Sequence, residues 1–161
     1  MVRLTFVQAR RAGILPKKRE ERTQPCKISK AVWNVRKLPD GILFIIPENM
    51  VSINVWKNKW HWTKQRDYQK RLTEEIKKLA LMVRRPTMER ARVEVTHYFR
   101  VRRTRDKDNQ VPKFILDALR YAGVIAEDNA DVLELPEPVF KIDKTAWRTE
   151  IYIREIVECR N

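Results

Sequence analysis

From Ala91 to Arg103 the chain alternates between two kinds of side chain, and this pattern limits the possible folds more than any other. Val93, Val95, His97, Phe99 and Val101 fall on one side; Arg92, Glu94, Thr96, Tyr98 and Arg100 fall on the other. Successive side chains of a strand point to opposite faces. A period of two over this length therefore predicts one long amphipathic strand. Such a strand needs a sheet beside it and a second layer over its apolar face.

Helices supply that layer. Tyr68, Leu72, Ile76, Leu79 and Val83 recur at spacings of four and three, which predicts a helix from about Thr63, as N-cap, to about Val83. Arg84-Arg85-Pro86 ends it. A second stripe of Val111, Phe114, Ile115, Ala118, Leu119 and Ala122 predicts a second helix. Pro112 fits its first turn and Gly123 its C-terminal cap.

Strands fill much of the remainder. Val32 to Val35 reads as a short strand, Leu38-Pro39-Asp40-Gly41 as a turn, and Ile42 to Ile46 as a buried strand stopped by Pro47. Together they suggest a hairpin. Val132 to Leu135 reads as a further strand closed by Pro136 and Pro138, and the last runs from Trp147 to about Val157. Residues 49–62 resist assignment. The fold class expected is α+β, with a mixed sheet of about five to six strands and two main helices.

The chain has 161 residues, enough for one domain with a core. Its three glycines leave no glycine-rich phosphate loop. Cys26 and Cys159 have no partner at metal-ligand spacing and read as free thiols; His61 and His97 form no zinc signature. His97 reads as a core or edge residue. No apolar run reaches the ~18 residues of a membrane span, and the start is too soon interrupted by Arg10-Arg11 to be a signal peptide. The location expected is cytoplasmic, with no membrane partner.

Net charge is +14, and residues 1–30 hold nine Lys/Arg against two acids, which is half of that excess. This stretch reads as a basic N-terminal arm, with residues 31–161 forming the domain. An excess of this kind favours polyanions as partners, nucleic acid above all.

Against that field stands an acidic group at the end of the long strand. Asp106 and Asp108, two apart in extended chain, can reach toward one point, and Asp128 can return to the same sheet edge. Converging carboxylates suit Mg²⁺, which could activate water and neutralise charge on a phosphate. Lys113 could contact the scissile phosphate. Other readings fit the same residues. Asp108 or Asn109 can be a helix N-cap, Asp128-Asn129 a turn, and Lys113 and Asp117 an ordinary surface pair.

Arg105-Asp106-Lys107-Asp108-Asn109, then Lys113-Phe114-Ile115-Leu116-Asp117-Ala118-Leu119, then Gly123-Val124-Ile125-Ala126-Glu127-Asp128, resembles the RusA-type Holliday junction resolvases. Upstream, Ile46-Pro47, Asn54 and the Tyr68 helix also fit, so the resemblance spans about residues 42–157. It implies a homodimeric, RusA-like, Mg²⁺-dependent endonuclease that cuts four-way DNA junctions by paired symmetric nicks. Asp106, Asp108 and Asp128 would be catalytic and hold Mg²⁺, with Lys113 the catalytic lysine. Two departures stand out. Glu127 replaces an aspartate, and Lys113 sits five residues after Asp108 rather than four. The extra residue turns the amine by about 100° on a helix.

Arg100, Arg102, Arg103 and Arg105 are placed to track a phosphate backbone, and Lys59, Lys64 and Trp60 form a second basic, aromatic stretch for DNA. Trp56, Trp60 and Trp62 can instead be packing residues. Two non-catalytic readings compete: a basic DNA- or RNA-binding protein of the same fold, and an RNA-binding accessory factor.

Overall fold

The computed structural model describes residues 32–84, 86–110 and 113–156. The basic arm 1–30, both cysteines and the expected position of Pro112 lie outside the described residues, as does the side chain of Asp108.

Among the described residues the fold is α+β: a mixed six-stranded sheet with three helices. The strands are β1 (Asn34–Leu38), β2 (Gly41–Ile46), β3 (Ala91–Phe99), β4 (Leu133–Glu134), β5 (Val139–Ile142) and β6 (Arg148–Glu155). The helices are α1 (Ile53–Lys59), α2 (Trp62–Val83) and α3 (Lys113–Tyr121). The sheet runs β1-β2-β6-β3-β4, and β5 also pairs with β3. Antiparallel pairing joins β1 to β2, β2 to β6 and β6 to β3, whereas β4 and β5 lie parallel to β3.

The alternation of β3 is realised in full: Ala91, Val93, Val95, His97 and Phe99 are buried and the residues between them are not. The strand ends at Phe99 rather than near Arg103, and Val101 is 50% exposed. Beyond Phe99 no neighbouring strand continues the ladder on the β6 side, whose last partner is Tyr98. Along the other edge, β4 pairs at Ala91 and Arg92 and β5 resumes at Thr96. The segment between β4 and β5 carries Pro136 and Pro138, which lack the N–H a ladder needs.

The core lies between one sheet face and the helices. Ile42, Phe44 and Ile46 of β2, Val93 and Val95 of β3, and Ile151 and Ile153 of β6 form its floor. Leu72, Ile76 and Leu79 of α2 cover it with Phe114, Ile115, Ala118 and Leu119 of α3. The opposite sheet face carries a charged ladder in which Glu94 takes Arg92 at 2.8 Å and Arg154 at 3.5 Å, and Arg148 meets Glu150 at 2.7 Å.

Helix ends follow local chemistry. His61, not Thr63, is the N-cap of α2, accepting from the Thr63 amide, and Arg84 closes that helix in the left-handed region at φ 47°. Gly123 has φ 74° after α3, as a C-terminal cap requires. Gly41 opens β2 where a Cβ would strike the Ile153 carbonyl oxygen, so only glycine fits.

The unassigned stretch 49–62 contains α1, capped by Ser52, whose hydroxyl accepts from the Val55 amide at 3.4 Å. Trp56 and Trp60 sit four apart on one face and pack with Tyr68, and Trp56 lies 4.0 Å from Phe114. Both tryptophans are partly buried packing residues, whereas Trp62 is 60% exposed.

Candidate functional site

The end of β3 delivers a run of cations into open space. Arg100, Arg103 and Arg105 line one side of an open cleft of about 480 Å³, with Phe99 and Val101. Lys144 and Trp147 approach from the loop joining β5 to β6, and Asn49 from the segment after β2. Among the described residues four cationic side chains share this lining and no acidic side chain does.

Each wall is held in place. Arg105 stacks on Phe99, its guanidinium carbon 3.6 Å from the ring centre, and donates to the Arg103 carbonyl at 3.1 Å and the Val101 carbonyl at 3.4 Å. It thereby pins the turn after β3 and keeps its charge in the cleft. Arg100 lies 5.3 Å from the Trp147 ring, which is 47% exposed. On the opposite loop, Asp143 accepts from the amides of Thr145 and Ala146, from the Thr145 hydroxyl, and from Arg148 at 2.6 Å. The Thr145 hydroxyl, Arg148 and the two amides hold the Asp143 carboxyl far below the ordinary carboxylate range. That carboxylate is thus occupied in shaping the loop that presents Lys144 and Trp147.

Beside Phe99 of the cleft wall sits His97, fully buried and facing Thr149 across the β3–β6 pair. Its Nδ1 is 3.0 Å from Thr149 Oγ1, which donates in turn to the Glu48 carbonyl at 2.9 Å. Burial pushes its pKa down from 6.5 to about 4.

Of the expected catalytic residues, Asp106 and Asp128 have local structural partners. Asp106 leaves the strand exposed and starts a 3₁₀ turn, Lys107–Gln110: its carbonyl accepts from the Asn109 amide at 3.2 Å, and its Oδ2 accepts from Asn109 Nδ2 at 3.3 Å. Asp128 and Glu127 both lie beside Arg120, at 3.9 and 3.6 Å. Asn129 forms the turn, its side chain accepting from the amides of Asp131 and Val132. Lys113 is the exposed first residue of α3, and Lys107 pairs with Glu137. Among the described residues no group of three His, Cys, Asp or Glu is arranged to hold a metal ion. The Mg²⁺ set of Asp106, Asp108 and Asp128 falls outside that statement, because the Asp108 side chain is not described.

The seven expected DNA-contacting residues divide. Arg100, Arg103 and Arg105 converge on the cleft, while Arg102 is exposed beside it. Trp60 and Lys64 line a separate opening of about 560 Å³, where Lys64 sits 4.4 Å from the Trp60 ring and Glu48 and Asp67 balance the charge. Lys59 is exposed at the end of α1. The cleft residues missed in the sequence are Lys144, Trp147 and Asn49. Asp143-Lys144-Thr145 does carry a signal, an aspartate able to form a local turn two residues ahead.

No family model matches the chain, and no curated protein matches it. Solved structures do. The periplasmic domain of Helicobacter pylori MotB (residues 78–256) matches with a TM-score of 0.42 and 12% identity, over 76% of this chain and 82% of that one. A second form of that domain (residues 90–256) gives 0.43 and 12%, over 81% and 85%. A MotB periplasmic domain of residues 64–256 gives 0.45 and 14%, over 96% and 86%.

The resolvase assignment is therefore corrected. The structures matched are MotB domains and no family model supports the RusA-type kinship, so that kinship is withdrawn. With it go the endonuclease activity, the four-way junction as partner and the two-fold dimer. The matched domains are periplasmic, and the cytoplasmic location is withdrawn too. The residues that carried the resemblance have local work of their own: Asp106 closes a turn with Asn109, and Asp128 lies against Arg120. At TM-scores below 0.5 the likeness to MotB brings no activity, partner or location to this chain.

Proposed function

We propose that this domain binds a linear, phosphate-bearing polyanion in the cleft at the end of β3. One observation carries the reading: three arginines and a lysine from two separate loops line a single cleft, and among the described residues no acidic side chain lines it. Like charges gathered in one place repel each other, and an anion seated between them relieves that repulsion. Arginine's planar fork matches phosphate oxygens, and three of the four cations are arginines. The Trp147 ring offers a flat apolar surface beside them. The role is binding, with no chemical step assigned.

The test is fluorescence anisotropy with a labelled thymidine homopolymer as the phosphate probe and polyglutamate of similar length as the carboxylate probe. The paired variant Arg103→Ala/Lys144→Ala is expected to weaken phosphate-probe binding about tenfold, the scale of one to two lost charge-assisted contacts. A control removing two exposed lysines elsewhere, Lys57→Ala/Lys77→Ala, is expected to change it far less. Equal losses in the two paired variants would assign the binding to bulk charge and overturn the cleft. Polyglutamate binding as tight as the phosphate probe would overturn the ligand class.

A further inference from the structure

Among the described residues the fully buried polar side chains are His97 and Thr149, and they touch each other. A hydroxyl has one proton. Thr149 gives its proton to the Glu48 carbonyl, so the contact with His97 requires the proton on Nδ1, with Thr149 Oγ1 accepting. The neutral ring is thereby fixed in one tautomer, and Nε2 is left bare, buried and without a partner. Phe99 and Phe140 face the ring at 6.1 and 5.8 Å between centroids.

Charged groups on the surrounding elements are engaged elsewhere. Arg148 and Glu150 flank Thr149 but project from the other sheet face and pair there, and Lys141 of β5 lies over Tyr98 on that same face. The Glu48 carboxylate binds Arg71, and Arg105 is stacked on Phe99. Both ends of this hydrogen-bonded chain reach the cleft. Phe99 lies two residues after His97, Asn49 follows Glu48, and both line it.

We propose that the Glu48–Thr149–His97 chain is a proton-sensitive strut that positions Asn49 and Phe99, two walls of the basic cleft, and releases them in acid. The inference rests on the reading of that cleft as a polyanion site. His97 and Thr149 are positioning residues, acting through the walls and not on the ligand. Burial holds the ring neutral down to about pH 4 in place, whereas an opened ring titrates near 6.5. Acid therefore favours the opened strut, because only there does the second proton reach water. Protonation of the protein's carboxylates raises its positive charge and tightens polyanion binding. A loss of binding on acidification is thus opposite in sign to the general charge effect.

The experiment follows the full chain from pH 8 to 4.5 with two readouts: affinity for the labelled thymidine homopolymer, and NMR shifts of the His97 ring and of the Asn49 and Arg100 amides. In the wild type, affinity is expected to hold to about pH 6 and then fall about tenfold by pH 4.5. The Asn49 and Arg100 amides should move with the His97 titration. His97→Gln and Thr149→Val should lose this acid dependence, and Thr149→Ser, which keeps the hydroxyl, should retain it. Affinity that stays constant or tightens in wild-type protein down to pH 4.5 overturns the proposal, as does the same acid loss in His97→Gln. If the probe binds at no pH, the cleft reading fails. The amide shifts then decide the strut separately, and amides that ignore the His97 titration refute it.

Discussion

The Arg105 guanidinium carbon stands 3.6 Å from the centre of the Phe99 ring, closing the turn that follows the long strand. The contact joins the last core side chain of β3 to a cation of the cleft. The same guanidinium ties down the Val101 and Arg103 carbonyls. Replacing it with lysine keeps the charge but loses the planar fork and the two carbonyl contacts. Arg105→Lys is expected to cost about 1 kcal/mol in urea unfolding, on the scale of one cation–π contact with its hydrogen bonds. It should also weaken binding of the thymidine homopolymer; unchanged values of both would assign Arg105 to plain solvent exposure.

Salt dependence counts the cleft's contacts. For single strands, log affinity falls with log salt at a slope of about −0.7 per phosphate contact. Arg103→Ala/Lys144→Ala is expected to flatten the slope by about 1.4. Anisotropy titrations at several salt concentrations measure it, and an unaltered slope would mean neither side chain touches phosphate.

Gly41 has no room for a methyl group against the Ile153 carbonyl. Gly41→Ala must separate β2 from β6 locally, at a cost of about 1–3 kcal/mol typical of overpacking. The midpoint of urea unfolding should fall with its slope unchanged.

His97 makes stability depend on pH. Its folded pKa of about 4 lies below the ordinary 6.5, so the unfolded chain binds the extra proton first. The full contribution is present above about pH 6.5 and is lost as pH falls toward 4. Between pH 7 and 4.5 the loss from this ring is about 2 kcal/mol. Urea unfolding at the two pH values should show that loss in the wild type and not in His97→Phe. A variant that loses as much as the parent would place the acid sensitivity elsewhere.

Thr149→Val removes the hydroxyl that serves both His97 and the Glu48 carbonyl, leaving two buried polar groups unmatched. The expected cost is about 2 kcal/mol at pH 7, larger than in Thr149→Ser.

What was legible in the sequence is what periodicity encodes. The alternation of Val93, Val95 and His97 gave β3, and the spacing of Tyr68, Leu72, Ile76 and Leu79 gave α2 with the correct buried face. The turn at Pro39-Asp40 and the cap at Gly123 followed from backbone chemistry. Helix α1 was missed because lysines and asparagines interrupt it. Its one readable sign was Trp56 and Trp60, four apart, which share a packed face. Strand β5 was missed because it is short and mostly exposed, and its ladder to β3 is formed by tertiary pairing.

The site was half legible for a related reason. Arg100, Arg103 and Arg105 stand close in sequence and were visible as a basic run, whereas Lys144 and Trp147 reach the same cleft from the far side of β5. In the acidic motif, Asp106 and Asp128 have local partners that spacing alone does not reveal. An aspartate closing a turn and an aspartate awaiting a metal look alike in one dimension.

The strand at the middle of the sheet, β6, comes last among the described strands, between β2 and β3. As the chain leaves the ribosome, only the β1–β2 hairpin among its antiparallel pairs can form early. Both halves of the sheet must wait, edges open, for residues 148–155 to emerge and slot between them. Closure of the sheet is therefore expected to wait on that strand, and the open edges of β2 and β3 would need shielding until it arrives.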